Sequence, residues 1–182
     1  MTQTIYYTAT TLDGYLADED DSLEWLLTQE IDPAGPMNYA EFIDGIGAIV
    51  MGRTTYEWVR GHIESEDDRW AYVVPTFVFT HAELSAAEEA DIRFVAGDVA
   101  TVHPALVEAA GGRNVWVVGG GDLAAQFAEA GLLDTVMVSI APVTLGAGRP
   151  LFPRRFDLEL KTLERNGAFA CAVYAVVGPR SN

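Results

Sequence analysis

The sequence contains one cysteine and one lysine among its 182 residues. Cys171 alone cannot close an internal disulfide, and it does not supply a cysteine-rich zinc site. Basic side chains are scarce, 11 against 27 acidic ones, for a formal net charge of −16. That charge repels nucleic acid and anionic membrane surfaces, so neither is an expected partner. No apolar run approaches the roughly 20 residues of a membrane-spanning helix. His62 and His103 show no metal-ligand spacing, and no metal is expected. There is no internal repeat and no long Pro/Gly/Ser linker. The opening MTQTIYYTATTLDGY has neither a basic segment nor the apolar core of a secretory signal, so the expected location is cytoplasmic.

What is present reads as one domain over 1–182. Hydrophobic residues make up 49% and charged residues 21%, a globular balance, and a chain of this size buries about 70% of its unfolded surface. Short β-rich runs at 5–10, 45–51 (GIGAIVM), 76–80 (TFVFT), 92–95, 114–118 (NVWVV) and 135–140 predict strands. Between them, helices are expected from Ser22 as a cap through Leu27, over 38–43, over 54–60, before Gly111-Gly112, and over 123–130 with Asp122 as cap. Pro104 restricts the start of the fourth of these, because proline suits only a first turn. A charged loop is expected over 64–69. At the end, alternating Phe156, Leu158 and Leu160, an Asn166-Gly167 turn and a run over 169–177 predict a hairpin. Alternating strands and helices imply an α/β fold: a mixed, mostly parallel central sheet with helices on both faces and a C-terminal antiparallel hairpin.

In such sheets ligands sit at the carboxyl ends of strands, where helix N-termini point their N–H groups outward. Three strand ends carry suitable residues. In Met51-Gly52-Arg53-Thr54-Thr55, glycine permits close approach to a phosphate, the threonines open a helix, and the guanidinium suits a phosphate monoester. An ordinary strand-to-helix turn with a surface arginine is the competing reading. In Val118-Gly119-Gly120-Gly121-Asp122, three glycines between strand and helix let a pyrophosphate lie on the main chain. The pattern is neither GxGxxG nor a Walker sequence, and a tight structural turn is the alternative. Thr80 and His81 end a third strand. No GxSxG elbow is present, which leaves a hydrolase without support.

The segments ATTLDGYLA, MGRTTYE, VVGGGDLAAQF and GLLDTVMVSIAPVTLGAGRPLF, in this order, resemble the dihydrofolate-reductase-like superfamily. Within it, the chain is similar to stand-alone proteins like the C-terminal reductase domain of the bifunctional riboflavin-biosynthesis deaminase-reductase. The resemblance runs from Thr4 to about Phe152. It implies a dihydrofolate-reductase-like fold and an NADPH-dependent reductase acting on a small heterocyclic or related metabolite, pterin-, pyrimidine- or imine-like. Activity of the 5-amino-6-(5-phosphoribosylamino)uracil reductase type is one such reaction. A non-catalytic NADP(H)-binding protein that has lost the catalytic acid is the alternative.

By the same resemblance, Gly52, Arg53, Thr54 and Thr55 contact the adenosine side of NADPH, with Thr80 and His81 beside the 2′-phosphate. Val118, Gly119, Gly120, Gly121, Leu123 and Ala124 match the pyrophosphate turn, with a cis Gly119–Gly120 bond implied. Ala9, Leu16 and Ala17 match the nicotinamide pocket. Two departures stand out. Counting back from Trp25, Ser22 occupies the place of the pterin-binding carboxylate. Tyr56-Glu57-Trp58 stands where riboflavin-pathway reductases carry an Asp-Pro pair. The candidates for chemistry are Asp13, which would orient substrate; Ser139, which would hydrogen-bond it; and Glu24 or Asp21, either an acid if desolvated. Trp25 and Tyr56 read as packing residues. A homodimer is also implied, with the hairpin run 169–177 as one candidate surface.

Overall fold

The computed structural model describes residues 1–63, 70–87 and 90–181. The loop expected over 64–69 and the side chain at 62 lie outside the described residues. In chain order the elements are β1 (Thr4–Thr11), β2 (Tyr15–Ala17), α1 (Glu24–Leu27), α2 (Tyr39–Asp44), β3 (Ile46–Gly52), α3 (Arg53–Ile63), β4 (Thr76–Phe79) and β5 (Ile92–Val95). They continue with α4 (Val99–Ala110), β6 (Asn114–Val118), α5 (Gly121–Glu129), β7 (Thr135–Ala141), β8 (Arg149–Pro150), β9 (Phe156–Asn166) and β10 (Phe169–Pro179).

Eight strands form one sheet in the order β5-β4-β3-β6-β1-β7-β10-β9. The first six are parallel, and β10 and β9 add antiparallel at one edge. Interior strand β3 is a continuous apolar run because both faces are covered. One face packs Tyr6, Val50, Val115, Val117, Val136 and Val138 against Leu106 of α4 and Phe127 of α5. The opposite face packs Ile49, Met51 and Trp116 with Tyr56 of α3, and further along the sheet Trp25 of α1 with Ala141, Phe169 and Cys171. Alternation along each strand assigns successive residues to these two cores.

Several local expectations shift. Helix α5 starts at Gly121 with Gly120 as its cap, so Asp122 lies inside the first turn; its carboxylate accepts from Gln126 at 2.8 Å and from Arg154 at 2.9 Å instead of capping. The glycines let the chain enter the helix earlier than a side-chain cap would require. Helix α1 starts at Glu24 after Leu23, and Ser22 Oγ accepts the Glu24 N–H at 3.2 Å. Pro104 is an interior residue of α4, which starts at Val99 with Asp98 as cap. The capping bond to Ala100, 2.7 Å, and buried Val99, Val102, Leu106 and Ala110 hold the helix through the proline.

At the hairpin the turn residues are Gly167, at φ +58°, and Ala168, and Asn166 is a buried residue of β9. Its side chain bonds outward, accepting from Asp32 N–H at 2.9 Å and donating to Asp32 O at 3.1 Å and Pro36 O at 3.0 Å. The small strand pair β2–β8, invisible in the sequence pattern, ties the Gly-rich stretch after β7 to the start of the chain. Among the described residues, no helix is long and apolar enough to cross a membrane.

Candidate functional site

Three of the sequence segments meet because their strands are neighbours. Met51 of β3 lies opposite Val118 of β6, and Gly52 lies opposite Phe79 of β4. The chain therefore leaves the sheet side by side at Arg53, Thr80 and Gly119, and helices α3 and α5 begin there. Strand β1 pairs with β6 through Tyr6 and then runs on beside β7 as far as Thr11. This places Ala9 opposite Ser139, and Ser139 opposite Cys171. The carboxyl ends of β3, β4 and β6 thus carry the expected dinucleotide residues, and the β1–β7–β10 strip carries Ala9 and Ser139 of the expected nicotinamide and substrate residues.

The glycines have different reasons to be there. Gly119, at φ +76°, backs onto Thr55, and an added Cβ would collide with the threonine hydroxyl. Gly121 rests on the carbonyls of Pro150 and Leu151, where no side chain fits. Gly52 and Gly120 face open space, so close packing within the fold does not require glycine at either. Gly120 is also the cap of α5 and contributes no side-chain hydrogen bond to its first N–H groups. Leu123 and Ala124 bury their side chains in the core, and Ala124 N–H already bonds Gly120 O at 3.2 Å. The N–H groups at the start of α5 and the open glycine backbones form an arrangement that fits an anion such as a pyrophosphate. The implied cis bond is not found: among the described residues every peptide is trans.

Arg53 lies at the surface and donates from Nε to Glu57 Oε1 at 2.8 Å, one helical turn on. Exposed pairs of this kind contribute little, which leaves the guanidinium able to exchange partners. Thr54 is exposed and Thr55 half-buried. Thr80 Oγ1 accepts from Ala82 N–H at 3.0 Å, and His81 is exposed next to it. Tyr56 is buried and donates its hydroxyl to Ser85 O at 2.6 Å, a packing residue as expected.

Beyond the end of β1, on the same carboxyl side of the sheet, Leu16 is half-buried and Ala17 buried on β2, with Gly148 packed on the Ala17 carbonyl. Ser139 Oγ and Cys171 Sγ are 3.6 Å apart and buried. On the same sheet face, Trp25 packs with Cys171, Phe169 and Ala141. Among the described residues its indole Nε1 is the one buried side-chain polar atom without a hydrogen-bond partner. Glu24 is exposed beside it. Asp13 accepts from Thr11 Oγ1 at 2.6 Å and from the backbone of Leu145 and Gly146, which holds the Gly-rich loop against the end of β1. These bonds, the Thr11 hydroxyl first, keep its pKa below the ordinary aspartate value. Asp21, at φ +62°, takes a two-pronged bond from Arg149, which likewise lowers its pKa.

The sequence reading missed Arg149 and Trp25 Nε1. Arg149 sits in a stretch legible only as glycine-rich. An indole looks like packing until its neighbours are known. A groove between the start of α4 and the end of α5, at Asp98, Gln126 and Glu129, touches none of these segments. Among the described residues no group of three or more His, Cys, Asp or Glu could hold a metal.

Sheet order, strand-end glycines and the terminal antiparallel strands define the dihydrofolate-reductase-like fold. Dihydrofolate reductase from Enterococcus faecalis, solved with NADP(H), superposes with a TM-score of 0.55 at 13% identity over 96% of both chains. Within that fold the chain belongs to the RibD C-terminal domain family, whose model matches residues 3–171. This is a family of NADPH-dependent reductases. A putative riboflavin biosynthesis protein from Shewanella sp. PV-4 matches with a TM-score of 0.80 at 24% identity, covering 96% of this chain and 99% of that one. The Bacillus subtilis protein YwjB is 32% identical over 151 residues, 82% of each chain.

Proposed function

We propose that the protein is an NADPH-dependent reductase of a small heterocyclic or related metabolite. The observation that carries this reading is the junction of β3 and β6. There two helices start side by side, and the two glycines that meet nothing within the fold, Gly52 and Gly120, border the open space. Gly119 and Gly121 shape the turn, the N–H groups of Asp122 and Leu123 face a pyrophosphate, and Arg53 with Thr54, Thr80 and His81 grips a 2′-phosphate. Ala9, Leu16 and Ala17 wall the nicotinamide. When bound, NADPH supplies a hydride. The chain's own residues orient substrate and exclude water beside the Ala9–Ser139–Cys171 row: Ser139 Oγ hydrogen-bonds the substrate, and Glu24 is the candidate proton donor.

Asp13 is committed to the Gly146 loop and orients substrate through that loop's position. This, with the exposure of Glu24, favours one alternative: a protein that binds NADP(H) without turnover. Titration with NADPH and NADH, followed by a screen of pyrimidines, pterins and imines for loss of reduced-nicotinamide absorbance, separates the readings. Absence of binding by either dinucleotide would overturn both.

A further inference from the structure

Charge is divided unevenly along the chain. Ten of the 27 acidic side chains precede Arg53, and none of the 11 basic ones does, nor any histidine. This stretch builds β1, β2, α1 and α2. It covers the Ala9–Ser139–Cys171 row, because Trp25, Leu26 and Met37 pack in the same cluster as Cys171. The dinucleotide end, by contrast, carries Arg53 and His81. Arg149 does reach the acidic stretch, but Asp21 holds its Nε at 2.6 Å and its outer nitrogen at 3.0 Å. A phosphate group would have to displace that carboxylate and approach the acidic loop around it. A cation is drawn to the same place.

The row also offers no acid ready to give up a proton. Among the described residues no carboxylate is buried, and exposed carboxylates are ionised near neutral pH. Asp13 and Asp21 are further committed to Gly146 and Arg149. What the row does offer is Trp25, only 9% exposed, with an indole face for a cation and an unpartnered Nε1–H for a neutral acceptor.

We infer that the hydride acceptor is a basic, unphosphorylated cyclic imine that reaches the site already protonated, an inference that rests on the reductase reading above. In the reaction the dihydronicotinamide C–H bond breaks and its electron pair forms a C–H bond at the imine carbon. The C=N π pair becomes the nitrogen lone pair. The imine is reduced to an amine, the positive charge passes to the oxidised nicotinamide, and no proton is taken from the chain. Positive charge is present before and after transfer, and the surrounding carboxylates stabilise it throughout. Glu24 then serves as a counter-charge. Trp25 Nε1 donates to an oxygen elsewhere on the ring, since a protonated imine nitrogen has no lone pair to accept it.

Two measurements test this. The cofactor-free protein is titrated calorimetrically at low salt with N-methylisoquinolinium, a fixed cation, and with isoquinoline, its neutral counterpart. The cation should bind at least about tenfold tighter, and added salt should close the gap. Glu19→Lys/Asp20→Lys, at two exposed positions, should reduce the gap at least about threefold. With NADPH, the protein should reduce dihydroisoquinoline with a kcat/KM that falls at a pH set by the basicity of the imine supplied. N-methyldihydroisoquinolinium should show no such fall. Trp25→Phe keeps a ring and removes the donor, so it should lower kcat/KM for dimethoxydihydroisoquinoline and spare the unsubstituted imine. Equal binding of cation and neutral compound would overturn the inference. So would faster reduction of 5-amino-6-(5-phosphoribosylamino)uracil than of the imines, which would leave the reductase reading standing. NADPH binding with no reduction of any of these compounds, pterins included, would overturn that reading and the inference with it.

Discussion

The carboxylate of Asp13 accepts the backbone N–H of Gly146 at 2.7 Å, joining positions 133 residues apart. Both lie in segments with little regular structure, so this bond positions the Gly-rich loop over the end of β1. Its strength depends on charge. The folded-state pKa is depressed, so the contribution is complete above the ordinary aspartate range and is lost as pH falls through the lower folded value. The Gly146 amide resonance, followed through an acid titration, should therefore move with a midpoint below the ordinary aspartate value. Asp13→Asn should abolish that transition and increase hydrogen exchange at Leu145 and Gly146. A midpoint at or above the ordinary value would contradict the geometry.

Arg53 is held only by an exposed pair with Glu57. Removing a guanidinium that binds phosphate costs about 1.5–3 kcal/mol. Arg53→Ala should thus weaken NADPH at least about tenfold and leave NADH nearly unchanged. Fluorescence titration with both dinucleotides reads this directly. Equal losses for the two would remove Arg53 from the 2′-phosphate site.

The glycines should separate stability from binding. Gly119→Ala places a Cβ on Thr55 at a left-handed backbone position, and strain of this kind costs about 1–3 kcal/mol. Gly52→Ala meets no atom within 4 Å and should hold stability within about 1 kcal/mol. Its added methyl would stand where the phosphate approaches and should weaken NADPH. Denaturant unfolding and nucleotide titration of both variants check the split. A Gly52→Ala protein that binds NADPH normally would relocate the phosphate.

Asn166 satisfies three backbone groups of the 32–36 segment and is buried. Asn166→Ala leaves those groups without their partner and should cost about 1–3 kcal/mol. Denaturant unfolding would measure the loss, and proteolysis of the variant should cleave first near Pro33–Pro36. Unchanged stability would mean that water replaces the amide.

The legible parts of this protein share one property: they depend on residues close in sequence. The runs that became β3 and, after Asn114, β6 are apolar because both faces are covered, and such a run can be read without its neighbours. The single glycine after Met51 and the three after Val118 could be recognised as strand ends for the same reason. What misled the reading were residues with two local uses. Asp122 is a good helix cap in isolation, but three preceding glycines let the helix start before it, and Arg154 claims its carboxylate. Asn166 is a good turn residue, yet the 32–36 segment supplies it with better partners. Asp13 reads as a carboxylate at a strand end, with no local sign of the loop it anchors.

By itself the sequence determined the strands of the main sheet, the helices and the exclusion of an internal disulfide, because periodicity and composition act over a few residues. Only the tertiary structure decided that β3, β4 and β6 lie side by side at their carboxyl ends, and that Ala9, Ser139 and Cys171 form one row across β1, β7 and β10. Strand order and register arise from contacts between distant segments, and no local pattern carries that information.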